Sequence, residues 1–402
     1  MNIQRKLQYL WPLILMISIA SFRVNKYFLI LSQILLLFYL IKNSNWLSKT
    51  AKDKDYCYVR LYLGWASICI IRAFFVASDY VEYRHILEGV FCVLPPTFIY
   101  LFYRPSVSSC IMQTWFKYIV PLALIFLGWK FGFSSAVSPV LFFACFVTLF
   151  KPRYVILILL LLLLSLYDGY SEGIRSQMAQ GFIALGVGVL TYLIDKRPKM
   201  VQYLPSIRKY SFCLVVVVFG YLLSGLYGML NGRELAIYEK GEDGQKTDTR
   251  SLLYYDVINS SIQNDYYIFG RTPCQGNDID ASAPLFLYAV DNDITVFHKG
   301  QRFSNEVPYL NIFTWEGIIG LLFYFMLYIK ASYLAVNKSK NKYIKVLGCY
   351  IALRWVCGFI DDYSDFDMLN ISLWGMMGVC FSPYYREMTD VQFKSWIRSW
   401  TD

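Results

Sequence analysis

Charge is scarce in this chain. Asp, Glu, Lys and Arg fill only 16% of its 402 positions, while 57% are apolar and 18% aromatic. Soluble domains carry about 25% charged residues, so this composition excludes an ordinary soluble enzyme and makes lipid the main solvent. Histidine is almost missing: His85 and His298 are the only two, and no CxxC or His-rich spacing offers a structural zinc site. Low-complexity tracts and a glycine period are also lacking, which excludes disordered and fibrous classes. Ten cysteines are present, but only Cys274 falls in a segment expected to be exported, so no disulfide framework is implied.

What the chain has instead is long apolar runs. About 20 apolar residues cross the roughly 30 Å of bilayer hydrocarbon as a helix. Twelve such stretches are expected, near 8–22, 27–42, 60–78, 87–103, 116–131, 135–150, 153–167, 177–194, 211–230, 308–329, 343–360 and 366–383. Several are short, so a merger or a re-entrant pair would lower the count. Runs such as Val155 to Leu164 show no strand alternation, which excludes a β-barrel. The expected fold is an all-α polytopic membrane protein with about twelve transmembrane helices and one long loop. Its parts are about nine N-terminal helices in 1–232, a loop subdomain in 233–307, and about three helices with a tail in 308–402. The first span follows a basic N-terminus but lacks a small-residue cleavage site, so it reads as a retained helix.

Basic short loops stay in the cytoplasm. With Arg5 and Lys6 inside, Lys49, Arg60, Arg104, Lys151, Arg197, Lys342 and Arg386 all fall on the same side. The stretch 233–307 then lies outside. It holds twelve acidic against seven basic residues, a net of −5, so the remainder of the chain carries about +15 against the whole chain's +10. The positive balance is a topology signal, and no nucleic-acid partner is expected.

A loop this long calls for a function, and its aromatic content argues against disorder. It reads as a helix over 251–262, a turn-rich passage from Phe269 through Gly276, and short β-prone pieces around 285–289 and 294–297. Asp248-Thr249-Arg250, Ile268-Phe269-Gly270-Arg271, Ser304-Asn305-Glu306, Tyr309-Leu310-Asn311-Ile312-Phe313 and Gly317-Ile318-Ile319-Gly320-Leu321 together resemble the O-antigen polymerase and O-antigen ligase superfamily. Members open a long periplasmic loop with an Arg-bearing helix, pass an iGxG-like turn, and end on a His-Asn pair before an xGiiGl span. The likeness covers about 90 residues, the rest only by hydropathy. Ser304 stands where the ligases place their histidine, so that base is not carried over.

The resemblance implies a GT-C-like bundle in a bacterial inner membrane with its long loop in the periplasm. The implied enzyme is a glycosyltransferase that polymerises undecaprenyl-pyrophosphate-linked repeats into O-antigen or capsular polysaccharide. A ligase moving glycan to lipid A core or protein is the first alternative, and a non-catalytic transporter of the same lipid-linked sugar the second. No internal repeat of the kind alternating access uses is evident. Partners would be the lipid-linked oligosaccharide, membrane lipids, and a chain-length regulator and flippase of the same pathway. No cofactor is implied.

The chemistry leads to the same candidates. A pyrophosphate leaving group needs fixed cations, which arginine supplies through its planar fork, and preorganised charge is commonly the largest catalytic term. Arg250 and Arg271 match motif positions and are assigned to pyrophosphate or donor sugar. The alternative for both is an ion pair within the acidic loop. Arg175, in a Gly-broken turn, and Arg302 are secondary phosphate ligands, with Arg233 weaker because helix-end arginines snorkel. His298 is the candidate base, against a solvated loop histidine. Glu306 competes for that role: if partly desolvated at the membrane entry it would titrate high, whereas its ordinary use is helix capping. Arg72, Glu316 and Arg354 fall inside spans at similar depth and are expected to cluster, either under the substrate or as a structural ion network. The acidic turn Asp361-Asp362-Tyr363-Ser364-Asp365 with Asp367 is read as a solvated or sugar-binding patch before a Mg²⁺ or Ca²⁺ site. Tyr254, Tyr255, Tyr266, Tyr267 and Tyr309 are offered as sugar-stacking rings, although Tyr is also the usual interface residue.

Overall fold

The computed structural model describes residues 3–22, 25–44, 53–125, 133–171, 175–230, 250–279, 297–361 and 366–401. The architecture is an all-α bundle with one small three-stranded sheet. Five helices are long and apolar enough to cross a membrane: Lys54–Val76, Pro152–Ser171, Ser176–Lys196, Pro198–Ser224 and Pro308–Lys338. A sixth crossing exists if Tyr80–Leu101 and Pro105–Ile125, bent by 116°, count as one broken span. A multi-pass membrane protein follows from these lengths and compositions.

Among the described residues five or six helices, not twelve, are long and apolar enough to span, and packing accounts for several of the rest. The expected spans at 87–103 and 116–131 fall largely on the two arms of the bent pair. That at 135–150 breaks into Phe133–Val137, Pro139–Cys145 and a turn at Val147–Leu149. Those at 343–360 and 366–383 are the short helices Lys342–Cys357 and Met368–Phe381. Every residue of Met368–Phe381 except Leu369 is buried. Its apolar surface is covered by protein, so hydropathy alone overcounts it as a crossing. By contrast only 11% of the apolar window in Pro198–Ser224 is buried within the chain, which is the pattern of a helix solvated by lipid.

The Pro308–Lys338 helix organises the bundle. It packs against Cys57–Val76, Lys342–Cys357 and Met368–Phe381. Pro308 sits at its N1 position, where a missing N–H costs nothing. Gly317 breaks the helix with φ 68° and ψ −170°. At 1.5 Å per residue the arm beyond the break, 318–338, is about 31 Å long, the thickness of the hydrocarbon core.

A break inside a membrane protein strands backbone groups unless a neighbour takes them. Here the 267–272 turn does so. The Thr314 carbonyl accepts from Arg271 N at 2.7 Å, the Trp315 carbonyl from Thr272 N at 3.0 Å, and Ile318 N donates to the Tyr267 carbonyl at 2.9 Å. Trp65 Nε1 adds a further bond by donating to the Glu316 carbonyl at 2.9 Å. Contact this close needs two glycines. A Cβ at Gly270, φ 69°, would lie 2.4 Å from the Trp315 oxygen, and one at Gly317 would lie 2.1 Å from the Ile268 oxygen.

Gly270→Ala and Gly317→Ala are each expected to cost roughly 2 kcal/mol or more, combining positive-φ strain with overpacking. A thiol-reactive dye reporting the buried Cys69, Cys145, Cys274, Cys349 and Cys380 during heating in detergent should show both variants melting earlier. Gly64→Ala is the control, since nothing lies within 4 Å of its added methyl. Equal melting of all three variants would show that the sealed break does not hold the bundle together.

Candidate functional site

The loop end of the bundle begins with the helix Arg250–Gln263, the expected 251–262 helix extended at both ends. Tyr254 fixes it to the bundle by donating to the Phe359 carbonyl at 2.8 Å. The turn that follows is strained. Thr272 has φ 85°, an uncommon value for a β-branched residue, and it is held there by the bond to Trp315. Three two-residue strands come next, Asn277–Asp278, Phe297–His298 and Gln301–Arg302, with Gln301–Arg302 in the middle. The β-prone piece at 285–289 lies outside the described residues, as do 231–249, which include Arg233, Asp248 and Thr249.

Arg271 is absorbed by its own neighbourhood. Its guanidinium pairs in a bidentate fork with Asp278, Nη1 to Oδ1 at 2.8 Å and Nη2 to Oδ2 at 2.5 Å. Nη1 also donates to the Gly276 carbonyl at 3.0 Å, and the cation lies 4.6 Å from the Tyr266 ring centre. Asp278 sits below its ordinary range: part-burial pushes its pKa up, and the Arg271 bond and charge, with smaller side-chain bonds, more than offset this. The ion pair within the acidic loop is the arrangement present, and it braces the turn from which Arg271 also donates its backbone N–H.

Of the expected cluster, Arg72 and Glu316 both border the junction of the 267–272 turn with the helix break, with Cys69 interacting with each, while Arg354 has its own partner. Arg72 donates to the Phe269 and Gly270 carbonyls at 2.9 and 3.3 Å, clamping the turn from the Cys57–Val76 helix. Arg354 pairs with Asp361, 3.6 Å away, and Gln180 also donates to Asp361. Glu316 is fully buried, with Oε1 3.5 Å from the Tyr62 hydroxyl and Oε2 without a hydrogen-bond partner among the described residues. Arg354 is drawn to Asp361, whereas Arg72 and Glu316 share Cys69 as a neighbour. Asp361 is thereby buried, Asp367 caps the Met368–Phe381 helix, and 362–365 lie outside the described residues. The two described members of the acidic turn serve different structural tasks.

Glu306 is not desolvated. Its side chain is 54% exposed, 3.9 Å from Arg302 Nη2, and Arg302 Nε donates to the Ser304 carbonyl at 3.1 Å. The intervening Asn305 is locked in place by Asn311, whose Oδ1 accepts from Asn305 N at 2.6 Å and whose Nδ2 donates to the Asn305 carbonyl at 2.9 Å. Arg250 opens the loop helix half-buried, four residues before Tyr254. Arg175 is the first residue of Arg175–Lys196, and its side chain lies outside what is described. Of the five tyrosines, only Tyr255 and Tyr267 are exposed; Tyr309 is buried and donates to the Trp355 carbonyl at 2.7 Å.

His298 is neither isolated nor simply solvated. Its Nε2 lies 2.8 Å from Asp79 Oδ2, and Lys299 Nζ reaches the same oxygen at 2.6 Å and Glu82 Oε1 at 2.9 Å. Sequence reading missed Asp79, Glu82 and Lys299. Among these, Lys299 first, then the Glu82 backbone N–H and His298, hold the Asp79 carboxyl well below its usual range. Asp79 in turn, with Glu82, raises the Lys299 ammonium.

These shifts give the loop contacts a pH window. Carboxyls lowered by folding contribute stability above their unfolded pKa, and that contribution is lost as pH falls through the lowered values. A lysine raised by folding contributes below its unfolded pKa and loses that as pH rises through the raised value. Melting temperature should therefore fall in acid below about pH 4, the ordinary carboxylate range, and again in alkali above the lysine range. An Asp79→Asn, Asp278→Asn variant should melt lower at neutral pH and show a shallower acid fall. An acid limb as steep as that of the unchanged chain would remove these pairs as its cause.

Compared with known proteins, the chain matches no family model, no curated protein and no solved structure.

Proposed function

We propose that this protein is a membrane glycosyltransferase of the lipid-linked polymerase type, extending a bacterial surface polysaccharide at the loop end of its bundle. One observation carries the reading: Gly270 in the Ile268-Phe269-Gly270-Arg271 turn and Gly317 in the following apolar helix meet backbone to backbone. These are two of the motifs on which the superfamily resemblance rests, and 46 residues separate them in the sequence.

The distribution of charge supports the orientation. Lys330 and Arg386 meet Asp55, and Lys342 and Lys394 meet Asp195, gathering basic residues at the end opposite the loop. By the positive-inside rule that end faces the cytoplasm and the loop end faces outward. No nucleotide sugar is at hand there, so the donor is a saccharide already activated on polyprenyl pyrophosphate.

In the proposed step the acceptor hydroxyl oxygen attacks the anomeric carbon. The bond from that carbon to the phosphate oxygen breaks, and polyprenyl pyrophosphate leaves with the electron pair. Arg250 and Arg302 supply positive charge toward the leaving group, and Glu306, next to Arg302, takes the hydroxyl proton. Arg271 and Arg72 act as positioning residues that fix the turn. His298, engaged by Asp79, is not assigned the base.

Deleting the gene in its host should leave surface glycan one repeat long, with single repeats on the carrier lipid. Polymer persisting on the carrier would instead indicate a ligase, and repeats trapped in the inner leaflet a flippase. Glu306→Gln and Arg302→Lys should each slow polymerisation by about 10²-fold or more while melting like the unchanged protein. Unaltered chain length in both would remove this pair from the site.

A further inference from the structure

The chain has two histidines in 402 positions, and the fold brings both to one cleft. Asp79, Glu82 and His85 recur every third residue at the start of Tyr80–Val93, so they share the face of the helix's first turns. Asp79 is the N-cap, its side chain accepting from Glu82 N at 3.0 Å. Glu82 reaches back to Ser78, accepting from its N at 2.7 Å and its hydroxyl at 3.0 Å. Against this face folds the hairpin of Phe297–His298 and Gln301–Arg302. Its two-residue turn, Lys299-Gly300, has φ of 53° and 73°, the twist that a tight hairpin requires.

The ligand-type atoms of Asp79, Glu82 and His298 all lie within 4.8 Å of one another. A second observation is independent of that triad. His85 is only 3% exposed and lines the same cleft as Glu82 and His298, its ring centre 6.4 Å from that of His298. Stacking on Phe303 at 3.9 Å and a bond to the Cys274 backbone fix the ring. A histidine oriented through one nitrogen by a backbone group is the arrangement that presents the other nitrogen to a metal.

We propose that Asp79, Glu82 and His298, with His85 behind them, form a binding site for a zinc-class divalent cation that pins the 297–302 hairpin to the start of Tyr80–Val93. Imidazole together with carboxylate selects zinc-like ions over Ca²⁺ and Mg²⁺, which prefer all-oxygen shells. Lys299 is the competitor. Its ammonium bridges Asp79 and Glu82, occupying the position of positive charge, yet its side chain is 49% exposed at a turn tip and is free to swing out. The ion and the ammonium are therefore alternative occupants, and affinity in the unchanged chain is reduced by the need to displace Lys299. The sequence signal was the 79, 82, 85 spacing; its fourth member lies 213 residues beyond His85.

The test uses the full-length protein in detergent, stripped by chelator and titrated with Zn²⁺ by calorimetry and with Co²⁺ by visible absorption. One equivalent should bind, with the cobalt spectrum of nitrogen and oxygen ligands. Lys299→Ala should tighten binding at least tenfold, whereas Asp79→Asn with His298→Gln should abolish it. Melting curves of the apo variants separate ligand loss from misfolding, and the Lys299→Ala gain cannot arise from misfolding. Lack of stoichiometric binding in both the unchanged chain and Lys299→Ala would overturn the site. So would binding that survives loss of Asp79 and His298, or a cobalt–thiolate band, which would place the ion on cysteine.

Discussion

A backbone break in a low-dielectric interior is tolerable only if its freed polar groups are claimed at once. The Pro308–Lys338 helix breaks at Gly317, and the 267–272 turn together with Trp65 claims what the break releases. Much of the loop end follows from that requirement. Gly270 has no side chain because the turn must touch the helix backbone, and Thr272 accepts positive φ because its N–H is needed there. Arg72 spans from a neighbouring helix because the Phe269 and Gly270 carbonyls would otherwise lack donors. Arg271 serves the junction twice, donating its backbone N–H to Thr314 and bracing the turn through Asp278.

What the sequence made legible divides along the range of the interaction. The loop helix and the Phe269 to Gly276 turn are local features, written in propensity and glycine placement, and both are found, whereas 308–329 was expected as one unbroken span and the break at Gly317 was not read. The number of spans is not local. An apolar run states that water is excluded but not whether lipid or protein excludes it. Phe142 and Phe143, fully buried within the bundle, count toward hydropathy as much as Val216 and Val217, which are largely exposed to the surroundings of Leu204–Leu230. The helices at 135–150, 343–360 and 366–383 are short and largely covered by protein, which hydropathy does not register.

Ion-pair partners were legible only when close in sequence. Asp278 lies seven residues from Arg271 and Asp361 seven from Arg354, so acidic company for both arginines was within view. Asp79 lies 219 residues before His298, and nothing in the 298 region announces it. Depth was a partial guide: Arg72 and Glu316 both border the turn–break junction near Cys69, but equal height fixes neither rotation nor neighbour, and Arg354 turns to Asp361. Burial was equally illegible for Glu306: position at a helix entry suggested desolvation, whereas the Asn305–Asn311 lock turns the adjacent backbone inward and leaves the carboxylate outside.

The loop end is thus held by contacts of different chemistry at separate points. Backbone bonds join the turn to the helix break, ions join the hairpin to Ser78 through Glu82, amides join Asn305 to Asn311, and a tyrosine joins the loop helix to Phe359. Salt screens the exposed ions but hardly touches the buried amides and backbone bonds, so no single condition loosens all four. In general, a site that is already ordered does not spend binding energy on ordering itself. Arg302 and Glu306 lie between two of these anchors, the hairpin and the Asn305 lock. Glu306 reaches solvent while Arg302 beside it is largely covered, and the backbone of both is held on either side by these anchors.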